Sequence, residues 1–176
     1  DSFSDGGSHF DAHAGQAHCD RLLAEGADIL DIGGESTRPG SRMPSVDEEL
    51  RRVLPVVRYA VTLGVPVSVD TSRPEVIAAV LEAGADIIND IRALSWPGAL
   101  QAAAAHPSAG VCLMHMQGTP ETMQAAPHYA DVVGEVRAFL AARLAAARQV
   151  GIADERITLD PGYGFGKSRE HNLALW

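Results

Sequence analysis

Short apolar runs alternate along this chain with longer stretches of helical period. The runs cover residues 27–32, 65–69, 85–88, 110–114 and 157–159. Each is rich in Val, Ile and Leu with little polar alternation, as expected of strands buried on both faces of a parallel sheet. Between them the period changes to that of helices. Residues 46–63 follow the capping box Ser45-Val46-Asp47-Glu48, and residues 73–83 follow a second, Ser72-Arg73-Pro74-Glu75. Gly84 and Gly151 stand just past the ends of the helical stretches 73–83 and 129–150, where a left-handed residue commonly stops a helix. Residues 25–31 and 83–89 are near-repeats, Glu-Gly-Ala-Asp-Ile-Leu-Asp and Ala-Gly-Ala-Asp-Ile-Ile-Asn. Recurrent βα units of this kind predict an α/β barrel or a doubly wound sheet.

The polar residues at the end of each run carry the chemistry. The five runs lead into Asp31, then Asp70-Thr71-Ser72, Asn89-Asp90, His115 and Asp160-Pro161-Gly162. All five polar tips stand at the carboxyl ends. A barrel enzyme builds its site there from many loops, whereas a doubly wound sheet uses that edge only near its switch point. The pattern therefore favours the barrel. Taken singly, each tip has a plainer reading: Asp70 as the entry to a helix cap, Asn89, Asp90 and Asp160 as turn residues, His115 as a satisfied core histidine.

The glycine-rich stretch Gly162-Tyr163-Gly164-Phe165-Gly166-Lys167-Ser168 fails two phosphate-loop tests. Pro161 occupies the first glycine of a Walker pattern, and Lys167 the third glycine of a dinucleotide fingerprint. It reads instead as a flexible loop bearing two aromatics and a cation, able to cover a flat ligand. The loop over residues 33–44 is long and polar, and its Arg38 and Arg42 suit an anionic group. Residues 1–7 are too polar and glycine-rich for a core element.

Composition narrows the classes. At 176 residues, 46% hydrophobic and 21% charged, the chain suits one globular domain. No apolar run approaches the ~20 residues that span a bilayer. A net charge of −9 argues against a nucleic-acid partner. Cys19 and Cys112 read as reduced core thiols of a cytoplasmic protein. Lys167 is the single lysine, and its place in a loop argues against Schiff-base chemistry. The residues alone thus describe a barrel-like enzyme with an acidic, amide-bearing pocket. Carboxylates only accept hydrogen bonds, so such a pocket suits a neutral ligand with an N–H-rich, aminopyrimidinone-like edge.

Six segments resemble, in order and spacing, the signatures of the dihydropteroate synthases. They are Asp1-Ser2-Phe3-Ser4-Asp5-Gly6-Gly7, Gly33-Gly34-Glu35-Ser36-Thr37-Arg38-Pro39-Gly40, Val69-Asp70-Thr71-Ser72, Ile88-Asn89-Asp90-Ile91, Leu113-Met114-His115-Met116-Gln117-Gly118 and Leu159-Asp160-Pro161-Gly162-Tyr163-Gly164-Phe165-Gly166-Lys167. The resemblance implies a TIM (β/α)8 barrel, of which about five βα units are present. Residues 1–176 would be a single pterin-binding domain, truncated at both ends. It implies condensation of 6-hydroxymethyl-7,8-dihydropterin diphosphate with p-aminobenzoate in folate biosynthesis, with Mg2+. Asp70 and Asp160 would be catalytic, and Asp70, Asn89, Met114 and Asp160 would line the pterin pocket. Phe165 would hold p-aminobenzoate. Thr37 and Arg38 would belong to one mobile loop, Phe3 and Asp5 to another. The mechanism implied is dissociative: diphosphate departs, the pterin cation is held by carboxylates, and the aniline nitrogen attacks.

The chain departs from the family pattern at both ends. The Mg2+-binding asparagine would precede Asp1. The later Ser-Arg-Lys and Arg-Val-His segments, which supply further substrate contacts, are not present. The isolated 176 residues are accordingly expected to be inactive. The family further implies a homodimer, a cytoplasmic location and a sulfonamide target. Two other readings share the pterin pocket: a methyltetrahydrofolate-binding barrel of the corrinoid methyltransferase kind, and a non-catalytic pterin-binding protein.

Overall fold

The computed structural model describes residues 12–35 and 43–176. Its elements run α1 (Ala12–Ala24), β1 (Leu30–Gly33), α2 (Val46–Ala60), β2 (Val67–Asp70), α3 (Pro74–Glu82), β3 (Ile87–Asp90), α4 (Ala99–Ala105), β4 (Gly110–Met114), α5 (Val132–Gln149), β5 (Ile157–Asp160) and α6 (Arg169–Leu175). The strands form one parallel sheet in the order β1-β2-β3-β4-β5. Each new strand is added on the same side as the last, so the order never reverses. A doubly wound sheet must reverse at its switch point. This architecture is a five-unit arc of a β/α barrel.

Whereas β5 buries no residue fully and leaves Leu159 41% exposed, one face of each of the strands β1 to β4 packs on helices. Val67, Val69, Ile88, Val111 and Leu113 are buried there against Val53, Val57, Val76, Ile77 and Val80. Each such side chain contributes about 1.5–3 kcal/mol when withdrawn from water. Helices α1 and α2 approach closely because Gly15 has no side chain: a Cβ there would lie 2.8 Å from Val56 Cγ2.

The first three strands begin two or three residues later than the apolar runs that announced them, whereas β4 and β5 begin where their runs do, at Gly110 and Ile157. The first run starts at residue 27, yet pairing starts at Leu30. Gly26 turns left-handed at φ 94°, and the Gly26 and Ala27 amides donate back to Leu23 and Leu22 carbonyls. Gly84 and Ala85 close α3 in the same way. The first residues of these runs therefore finish a helix, which satisfies its orphaned carbonyls.

One capping expectation holds in part and one fails. Ser45 accepts the Glu48 amide at 3.2 Å, but the Glu48 side chain pairs with Arg52. Ser72 does not cap α3. Arg73 is the N-cap, without a side-chain bond, and Pro74 opens the helix. The Ser72 hydroxyl is buried and donates to Asp90 Oδ1 instead. Helix α5 starts at Val132 rather than 129. Asp131 caps it by accepting the Gly134 amide at 3.0 Å, leaving Tyr129 free to be buried.

Candidate active site at the carboxyl ends of the strands

Parallel register places four predicted residues on one face of the sheet. Asp70 of β2 lies opposite Asn89 of β3, and Asn89 opposite Cys112 of β4. Two residues on, Met114 of β4 lies opposite Asp160 of β5. Residues in register, or two apart, point to the same side of a sheet. Gly33 is in register with Asp70 on the β1 side, where a Cβ would touch Asp70 Cβ at 3.4 Å. Glycine leaves that carboxylate room.

The electrostatics of this face are dominated by carboxylates. Burial raises Asp70 well above the usual carboxylate range. Asp31, Asp90 and Glu35 raise it further, and among the described residues Arg92 opposes them. Cys112, among the same carboxylates, is raised to about 11, chiefly by burial and then by Asp160. A thiol so raised stays protonated and is no nucleophile at neutral pH. Asp160 Oδ1 accepts the Gly162 amide at 2.7 Å, which fixes the carboxyl at the start of the following loop.

Behind the pocket lies a polar network that spacing alone did not reveal. Asp90 points to the helix side and is fully buried. It accepts the Arg92 amide at 2.8 Å and the Leu94 amide at 2.7 Å, so its reading as a turn residue holds. These bonds stabilise a strained turn in which Ala93 and Leu94 both have positive φ, 52° and 54°. Arg143 braces it by donating to both of their carbonyls at 2.8 Å. Arg92 pairs with Glu35 beyond β1 and donates to Ser72 Oγ at 2.8 Å. Glu49, on the buried stripe of α2, accepts from Thr71 Oγ1 at 2.6 Å and meets Arg73 Nε at 3.5 Å. Arg73 and Arg92 both stand over the Trp96 ring, at 5.6 and 5.9 Å. One signal was legible in advance: Glu49 interrupts an apolar stripe with Val46, Leu50, Val53 and Val57.

The loop after β5 differs from expectation. Lys167 is not an outward cation but is 3% exposed. Its Nζ lies 3.0 Å from His115 Nδ1, 3.2 Å from the His115 carbonyl, 2.9 Å from that of Gly162 and 3.0 Å from that of Phe165. The cause is steric. Gly162 and Gly166 both have positive φ, and their Cβ atoms would lie 2.0 Å from the His115 carbonyl oxygen and 2.5 Å from that of Gln117. Only glycine lets the loop fold so tightly onto the end of β4. His115 is the satisfied core histidine. It is buried, and its ring stands edge-on to Phe139 at 4.9 Å. Burial, then Lys167, lowers it to about 4.

Phe165 is half-buried within this loop. Phe3, Asp5, Thr37, Arg38 and Arg42 lie outside the described residues. Among the described residues no group of three or more His, Cys, Asp or Glu is placed to hold a metal ion. None of their helices is long and apolar enough to cross a membrane.

A family model for pterin binding enzymes matches residues 1–176. A dihydropteroate synthase of Escherichia coli (strain K12) is 54% identical over 176 residues, covering 99% of this chain and 62% of that protein. The chain therefore spans about three fifths of that relative's length. Among solved structures, the Yersinia pestis dihydropteroate synthase in complex with a sulfonamide drug superposes with a TM-score of 0.92 at 49% identity. That match covers 99% of this chain and 64% of the other. A Xanthomonas albilineans dihydropteroate synthase with 4-aminobenzoic acid gives 0.88 at 53% identity, covering 98% and 61%.

Proposed function

This chain belongs to the family of pterin binding enzymes, and we propose from that premise that it works in dihydropteroate synthesis. The reaction joins 6-hydroxymethyl-7,8-dihydropterin diphosphate to p-aminobenzoate, giving 7,8-dihydropteroate and diphosphate. One observation carries the reading. Asp70, Asn89, Met114 and Asp160 share one face at the strand ends, within a chain over half identical to a dihydropteroate synthase.

On this reading, Asn89 and Asp160 hold the N–H-rich edge of the pterin, and the Met114 thioether packs on its ring. Two carboxylates on one face, Asp70 and Asp160, suit a substrate that becomes cationic. The bond between the pterin methylene carbon and the diphosphate oxygen breaks, and its electron pair leaves with diphosphate. The aniline nitrogen of p-aminobenzoate then bonds to that carbon and sheds a proton. Charge stabilisation and positioning do most of this work, with no need for a strong base. Phe165 packs against p-aminobenzoate, and the resemblance assigns Thr37, Arg38, Phe3 and Asp5 to substrate binding.

Mg2+ belongs to the family's chemistry. The described residues offer no cluster that fits it, and the resemblance assigns it to an asparagine ahead of Asp1. A homodimer in the cytoplasm that binds sulfonamides, as the Yersinia pestis relative does, completes the proposal.

The test is pterin binding and turnover by the full-length protein with Asp160→Ala alongside. Sustained, multiple-turnover diphosphate release that needs both substrates, with pterin affinity reduced about 100-fold or more in the variant, is expected. Unchanged pterin affinity in Asp160→Ala would overturn the assignment.

A further inference from the structure

The Lys167 ammonium has three N–H donors and four acceptors within 3.2 Å. Three are carbonyl oxygens and one is an imidazole nitrogen, and none is a carboxylate. This is the inner shell of a cation site, filled by the protein's own side chain. The acceptors come from two places in the chain. His115 follows β4, while Gly162 and Phe165 lie in the loop after β5. His115 is itself tied to β5, since its amide donates to the Asp160 carbonyl at 3.0 Å. The rest of the loop is pinned from outside: Tyr129 Oη donates to the Gly166 carbonyl at 2.8 Å and Gln124 to that of Gly164.

We propose that Lys167 is a positioning residue, a built-in cation around which residues 162–166 fold and which thereby sets the place of Phe165. Carbonyl oxygens pointed at a common centre repel one another, so the fold of this loop needs positive charge there. Burial lowers Lys167 to about 8, and Asp160 acts the other way, so it remains cationic at neutral pH. The ammonium also determines the state of His115: Nδ1 accepts from Lys167, which leaves the ring proton on Nε2. Among the described residues no carboxylate pairs with Lys167 directly, which distinguishes it from an ordinary buried ion pair.

The functional consequence rests on the reading of Phe165 as part of the p-aminobenzoate site. The test uses the full-length protein with Lys167→Ala. Its KM for p-aminobenzoate is expected to rise about tenfold or more, the loss of one charge-assisted contact, with the KM for the pterin substrate within about twofold. n-Propylammonium, which replaces the deleted atoms and the charge, restores the p-aminobenzoate KM. Propan-1-ol, of the same size and neutral, does not. Rescue by both, or equal rises in the two KM values, or no change in either, would overturn the proposal.

A second measurement stands apart from activity and from folding of the variant. Nitrogen NMR of the wild-type His115 ring should show Nε2 protonated and Nδ1 an acceptor; a protonated Nδ1 overturns the cage. If wild-type protein makes no dihydropteroate, the proposed function falls, but this spectrum still decides the role of Lys167.

Discussion

Arg92 grips Glu35 with both arms of its guanidinium, Nη2 at 2.9 Å and Nη1 at 3.3 Å from the two carboxylate oxygens. The pair is nearly buried and joins the segment after β1 to the turn after β3. Arg92 Nη1 also reaches Ser72, after β2. Three consecutive strand ends are therefore held by one side chain, directly behind the carboxylate face. Removing one partner of a buried pair leaves the other charge desolvated, which costs about 3–5 kcal/mol. Arg92→Met is expected to destabilise the full-length protein by about that much in urea, and Arg92→Met with Glu35→Gln by clearly less. Additive losses in the double variant would show that the two groups do not couple.

Asp70 should trade stability for function. Its carboxyl is raised above its unfolded value, so between the two values the native state binds more protons than the unfolded. Stability then falls as pH rises through that window, and at neutral pH the ionised group is a cost. Asp70→Asn lacks the charge. It is expected to raise the melting temperature at pH 7 while reducing turnover at least 100-fold. A lower melting temperature with intact folding would contradict the crowding of carboxylates around Asp70.

His115 works in the opposite direction. Its native value is lowered to about 4, against an unfolded value of 6.5. Below 6.5 the unfolded chain takes up a proton that the native ring refuses, so its contribution is present above 6.5 and is lost as pH falls towards 4. The slope is roughly 1 kcal/mol per pH unit. Comparing wild type with His115→Gln cancels the raised acids, Asp70, Asp90 and Glu49. The variant should show a flatter stability profile from pH 6.5 to 4; parallel profiles would mean that the ring titrates normally.

Gly162→Ala places a Cβ about where the His115 carbonyl oxygen sits, 2.0 Å away, on backbone of φ 70°. A loss of more than about 3 kcal/mol is expected, from strain plus disruption of the lysine cage. Gly151→Ala is the control. It shares a positive φ, 90°, but its Cβ would meet nothing within 4 Å, so about 1 kcal/mol is expected. Equal losses would mean that dihedral strain alone, not close approach to His115, dictates Gly162.

Local information in the chain determined the βα alternation, the five strands and the polar residue at or just past the end of four of them; Asp31, expected at the tip of the first, is instead the second residue of β1, which ends at Gly33. Strand and helix periods are set by neighbours a few residues apart, and a residue at a strand's carboxyl end stays there however the strands are arranged. The order of those strands, and so the barrel over the doubly wound sheet, was inferred from the tips and settled by the parallel register. Only the tertiary structure decided the partnerships across long separations. Ser72 has the spacing of a helix cap, yet bonds to Asp90, 18 residues on. Glu35 finds Arg92 across 57 residues. Lys167, which sequence places in an open loop, is drawn inside by acceptors up to 52 residues away. The physical reason is common to all three. A polar side chain's partner is chosen by which strand ends the sheet brings side by side, and desolvation there makes an unmet hydrogen bond too costly to leave.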